Sequence, residues 1–197
     1  MKQVEKVEYR PTSVYETLLE MKDISELMID LAYSSVLLNS RELAEEVQML
    51  EEHMDRLHTD FELLVISSSG GEDAGDMLGL IRLGLATEMI ADAAAEIAEV
   101  VLRGEETHPV LRMVIEEAEE TVERATLSEN SPLVGKTLRE ARIPEETGMW
   151  VLAIRRRGRW IRPRPDTVLE AGDVLIASGY ADGVEDFRRL VEGSQNP

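Results

Sequence analysis

The spacing of apolar residues changes at Thr126, and that change constrains the fold of this chain more than any other feature. From Ser13 to about Asn39, residues such as Val14, Leu18, Met21, Leu27, Met28 and Leu31 recur at intervals of three and four, the spacing that lines one face of an α-helix. Leu43, Val47, Leu50, Met54, Leu57 and Phe61 continue it in a second helix predicted over about Arg41 to Ile66, which "SSSGGEDAG" then interrupts with loop residues. A third helix, about Asp76 to Arg103, is Ala-rich and apolar over much of its surface, which suits a central position, and Gly104 suits its C-terminal cap. Val110, Val114, Ala118 and Val122 stand at steps of four and predict a fourth helix from about Val110 to Ala125. Four helices joined by short loops predict an antiparallel bundle.

Beyond Thr126 the period shortens. "SPLVGKTLREARIP" reads as a short helix closed by Pro144, "GMWVLAIRR" as a buried strand and "RGRWIRP" as its hairpin return. "DVLIASG" reads as another strand, entered through a Gly172-Asp173 turn, and "VEDFRRLVEG" as a closing helix. The expected architecture is therefore α followed by α+β: a helical domain over residues 1–126 and a small α+β module over 127–197. A module of that size is marginal alone and is helped by pairing with a copy of itself.

Charge divides at the same place. Residues 1–126 hold 10 Lys and Arg against 29 Asp and Glu, whereas residues 127–197 hold 11 of each, so the net charge of −19 belongs entirely to the first part. Such a balance argues against a general polyanion binder, and nucleic acid is not expected as a partner. With no cysteine there is no disulfide framework or thiolate metal site. The N-terminal stretch lacks the apolar run of a signal peptide, and no apolar run approaches the roughly 20 residues that cross a bilayer, so a cytoplasmic protein without direct membrane insertion is expected.

Three sets of carboxylates have one-turn spacing: Asp23, Glu26 and Asp30; Glu51 and Asp55; Glu88, Asp92 and Glu96. Facing helices so decorated could offer oxygen ligands to a hard cation, while a solvated acidic face explains the same spacing in a chain with 40 acids. Asp92 and Glu96 lie among alanines and β-branched residues in "EMIADAAAEIAEVV", where an unpaired carboxylate is costly.

"EEHMDRLH" and "EMIADAAAEIAEVVL" resemble the E/D-x-x-x-D signature helices of PhoU-like domains, some of which bind metal clusters through those carboxylates. The resemblance covers about Ser13 to Ala125 and implies a divalent-metal role for Glu51, Asp55, Glu88 and Asp92. Glu96 stands where the family pattern has Asn before "IAE", and four helices rather than six imply that a second chain completes the bundle. More specifically, "LSENSPLVGKTLREA", "GMWVLAIRRRGRWIRPRPDTVLEAGDVLIASG" and "VEDFRRLVEG" resemble the TrkA-C domain, the C-terminal domain of RCK proteins of bacterial and archaeal potassium channels. That resemblance implies a ligand-sensing homodimer attached to a membrane potassium or other cation channel or transporter, with the protein peripheral to the membrane through that partner. No G-x-G-x-x-G follows a strand, so nucleotide binding through a Rossmann half is not expected.

Six arginines lie within ten residues, Arg155 to Arg164, without an intervening acid. They read either as an exposed hairpin facing the acidic helical domain or as a bidentate site for a phosphorylated effector. A cyclic dinucleotide, which some TrkA-C domains bind at their dimer interface, would then engage Arg155, Arg157, Arg162 and Arg164. Gly135-Lys136-Thr137 ends a P-loop-like pattern, but Asn130 occupies the first glycine position and no strand precedes it. His53, His58 and His108 form no HExxH motif, and Ser67 to Ser69 lack a G-x-S-x-G context, so no enzyme is indicated. The expected function is non-catalytic regulation of potassium or cation transport. The alternative is a metal-binding, PhoU-like adaptor in phosphate signalling.

Overall fold

The computed structural model describes residues 13–68, 74–104 and 120–193. Helices α1 (Val14–Leu37), α2 (Arg41–Ser67) and α3 (Ala74–Leu102) pack mutually, each against both others. Ser13 and Ser40 cap the first two, their hydroxyls accepting from the Glu16 and Leu43 amides. This satisfies donors that a helix start leaves unpaired. Met21, Met28, Leu31, Leu43, Val47, Met54 and Phe61 are completely or almost completely buried between the helices. The third helix approaches closely at Gly84, where a Cβ would collide with the Phe61 ring.

The expected fourth helix is not formed where the structure describes it. Residues 105–119 lie outside the described residues, and Glu120–Thr126 is a β-strand, β1. Steps of four at Val110, Val114, Ala118 and Val122 suit a helix, but β-branched Thr121, Val122 and Thr126 suit a strand equally, and an available sheet edge decides. The strand pairs antiparallel with β4 (Val174–Tyr180) over its whole length, from Glu120 opposite Tyr180 to Thr126 opposite Val174.

With β2 (Met149–Arg156) and β3 (Arg159–Ile161), these strands form an antiparallel sheet ordered β1-β4-β2-β3. Arg157 and Gly158 both take positive φ in the two-residue turn joining β2 to β3, the geometry that matches strand twist. Short helices α4 (Leu138–Ala141) and α5 (Ile143–Thr147) precede β2, and α6 (Val184–Glu192) follows β4. Pro144 does not close the first of these. The chain turns at Arg142, with φ +48°, and Pro144 sits in the opening turn of α5, where its missing N–H leaves nothing unpaired. Thr137 and Glu140 form a reciprocal capping box on α4.

Strand alternation gives the sheet two buried faces. Val122, Ala153, Trp160 and Ile176 face the helical core. Ile154, Leu175 and Ala177 face the other way, packing with Leu127, Leu133, Phe187 and Val191 into a second core. A break in register between Val151 and Ala153 accommodates both faces along β2. One sheet is thus shared between the helical bundle and the short helices of its own module.

Candidate functional site

The arginine cluster is divided by the alternation of β2 and by the loop after β3. Arg155 joins Glu42 of α2, which also accepts from Arg124 of β1 at 3.1 Å, and its guanidinium lies 5.9 Å from the Trp160 ring centre. Arg162 donates to Asp23 of α1 at 3.0 Å and pairs with Glu26, while Arg164 pairs with the second oxygen of Asp23. Burial would raise the Asp23 carboxyl, but hydrogen bonds from Lys22 and Arg164 outweigh it and hold the group below its usual range. Arg157, with its side chain 85% exposed at the hairpin tip, reaches only Glu170 at 3.3 Å. Arg155, Arg157, Arg162 and Arg164 therefore do not converge on one pocket. Three of them bridge to the acidic helices.

Arg156 has a different task. It donates to both oxygens of Asp173, at 2.8 and 2.6 Å, and to the Val168 carbonyl. Asp173 is 1% exposed and also accepts from the Glu170 amide at 2.9 Å, so Gly172-Asp173 is the anchor of the loop entering β4.

A concave site that the sequence reading missed lies on the other side of the same loop. Leu138, Ile143, Pro144, Val151, Pro163 and Pro165 line a cleft of about 330 Å³, rimmed by Arg139, Arg142 and Arg164. Trp150 borders it and remains 52% exposed. Arg139 makes no ion pair among the described residues, and Arg142 has only Glu145 at 3.9 Å. The left-handed backbone at Arg142 turns α4 into α5, placing Arg142 at the elbow and Arg139 on α4 just before it. An apolar floor, an exposed indole and guanidinium groups with unspent charge suit an anion carrying a flat ring. The only sequence signal was Arg139-x-x-Arg142 with a tryptophan at the outward position of the next strand, and it is weak.

The carboxylates sit elsewhere. Glu51 and Asp55 on α2 lie near Glu88 and Asp92 on α3. Burial first, then mutual repulsion within this set, pushes Glu51 and Glu88 above the usual range. His58 Nδ1 stands 4.0 Å from Glu88. No group of three or more His, Asp or Glu among the described residues is gathered closely enough to hold a metal ion, so the arrangement does not fit one as it stands. His108 and the Gly70-Gly71 loop lie outside the described residues.

Among the described residues no helix is long and apolar enough to cross a membrane. Residues 122–192 match the family model of the TrkA-C domain, and residues 18–101 match that of the PhoU domain. Potassium channel protein 1 of Methanocaldococcus jannaschii is 32% identical over 99 residues, half of this chain but 29% of that protein. The ammonium/H(+) antiporter subunit AmhM of Alkalihalophilus pseudofirmus is 24% identical over 126 residues, 64% of this chain and 75% of that protein. Among solved structures, the RCK_C domain dimer of S. agalactiae BusR in complex with c-di-AMP is 28% identical, covering 36% of this chain and 93% of that one, with a TM-score of 0.34. In order along its sequence, the chain carries a PhoU domain and a TrkA-C domain.

Proposed function

We propose that this protein is a non-catalytic, cytoplasmic regulator of a potassium or other cation transporter, and that its TrkA-C domain senses an anionic, nucleotide-like effector. The observation that carries the reading is the cleft beside Trp150, where Arg139 and Arg142 hold charge that no carboxylate neutralises strongly. Its chemistry accommodates the phosphates and one base of a cyclic dinucleotide: guanidinium groups for the phosphates, and indole and proline faces for the base. The TrkA-C match and the similarity to a potassium channel protein and an antiporter subunit support transport as the process regulated. The protein acts as a homodimer through its C-terminal module and alters the transporter by binding it.

An effector can shift such an assembly only through different affinities for its two states. The test is affinity capture of the tagged full chain from detergent-solubilised membranes of its native host, with and without cyclic di-AMP. The expected result is a cation channel or transporter whose recovery changes with the nucleotide. Recovery of phosphate-uptake components instead would support the metal-binding PhoU-like adaptor, for which the crowding of Glu51, Asp55, Glu88 and Asp92 is the favourable observation.

A further inference from the structure

Arg164 belongs to two places at once. The residue lines the cleft beside Trp150, and its guanidinium pairs with Asp23 of α1. Its backbone is fixed: prolines stand on both sides, its amide donates to Thr167 Oγ1 at 2.9 Å, and its carbonyl accepts from the Thr167 amide at 2.9 Å. The long side chain is therefore the movable part, and it can satisfy one strong anion at a time with good geometry.

Asp23 is unusually well supplied with cations. Besides Arg164 it has Lys22 and Arg162, each at 3.0 Å, and its side chain is 19% exposed. Losing Arg164 leaves the carboxylate paired, so the exchange does not strand a buried charge. It does remove one of the ties between α1 and the loop after β3, where Arg162 with Asp23 and Glu26 remains; Arg155 and Arg124 tie the strands, not the loop, to Glu42 of α2.

We propose that Arg164 is a relay between effector and interdomain contact: an anion in the cleft draws the guanidinium from Asp23 and loosens α1 from the TrkA-C loop. This rests on the cleft being the effector site and adds how occupancy reaches the helical domain. Linkage makes the relation reciprocal, so whatever frees Arg164 from Asp23 must tighten the anion.

The full chain is titrated calorimetrically with cyclic di-AMP as wild type, Asp23→Asn, Asp23→Glu and Glu26→Gln. Asp23→Asn should tighten binding about five- to tenfold, the lower range of ordinary coupling between sites. Asp23→Glu, which keeps an acceptor for Arg164, should stay near wild type. Glu26→Gln removes the same charge one turn away from a partner of Arg162, and should change affinity less than Asp23→Asn. Because the chain has no cysteine, spin labels on Glu52→Cys and Asp166→Cys report the distance from α2 to the loop. Cyclic di-AMP should lengthen or broaden that distribution. Equal affinity for wild type and Asp23→Asn, with an unchanged distribution on binding, overturns the relay and leaves the cleft standing. Equal tightening in Asp23→Asn and Glu26→Gln reduces the effect to general electrostatics and also overturns it. No binding to wild type or Asp23→Asn overturns the cleft reading, and the relay with it.

Discussion

The two groups of arginines in the TrkA-C domain are similar in sequence and opposite in circumstance. Arg155, Arg162 and Arg164 stand in a dense run and meet Glu42, Asp23 and Glu26 of the helices. Arg139 and Arg142 stand apart from that run, and only one of them finds a carboxylate, at 3.9 Å. A local excess of cations thus marks the place where an acidic domain docks, while the sparser pair keeps the charge that a ligand could use. Charge density along a chain says little about where charge remains available once distant acids have been brought in.

The largest contrast expected within the run is at Arg156. Asp173→Ala removes two charge-assisted bonds from Arg156, which keeps Glu170 and the Val168 carbonyl, and leaves the Glu170 amide without its acceptor; it should cost about 3–5 kcal/mol in denaturant unfolding, since bonds to a charged group contribute about 1.5–3 kcal/mol each. Trp160→Ala removes the largest sheet side chain facing the helical core and should cost about 3 kcal/mol or more. A cost under about 1 kcal/mol for both substitutions would separate the shared sheet from the stability of either core.

Two acids on α1 sharpen the comparison through pH. Asp30, in the crevice between α1 and the sheet, is pushed up to about 6 by burial, with Glu26 adding and Arg162 opposing. Its protonated form is favoured on folding, so its contribution is fully present below pH 3.8 and is lost as pH rises through about 6. Asp23 has the opposite sign: its contribution is present above pH 3.8 and is lost as pH falls through its lowered folded value. Asp30→Asn should therefore raise the thermal midpoint by a few degrees, roughly 2–4 °C, at pH 7.5 and leave it nearly unchanged at pH 4. A midpoint that falls at pH 7.5 contradicts the assignment.

Much of this organisation was legible in the residues, and the misses have definite causes. Helical spacing located α1 to α3, and "GMWVLAIRR" and "DVLIASG" located β2 and β4. Residues 120–125 were read as helix because a single segment cannot announce that β4 will offer it a ladder about 50 to 60 positions away. The same nonlocality hid the cleft, whose rim comes from α4, the elbow at Arg142 and the loop after β3. The run at Arg155 to Arg164 was conspicuous, yet the acids that occupy it lie 113 to 141 residues earlier.

Smaller effects test the outlying charges. Glu51→Gln with Asp92→Asn relieves repulsion between α2 and α3 and should stabilise the chain by a few tenths of a kcal/mol, about what like-charge pairs cost. A midpoint that instead rises strongly with added Mn²⁺ or Mg²⁺ in wild type, and not in the double variant, would restore those carboxylates as metal ligands. Arg157→Ala should change stability by less than about 0.5 kcal/mol, since its side chain is 85% exposed.

The most direct measurement sets the two arginine groups against each other. Cyclic di-AMP is titrated calorimetrically into the full chain as wild type, Arg139→Ala/Arg142→Ala and Arg155→Ala/Arg157→Ala. Charge-assisted bonds of about 1.5–3 kcal/mol each imply a loss of about a hundredfold or more in the first pair. The second pair should bind within about threefold of wild type, a difference under 1 kcal/mol. A large loss confined to Arg155→Ala/Arg157→Ala, or no binding to wild type at millimolar nucleotide, would contradict the account.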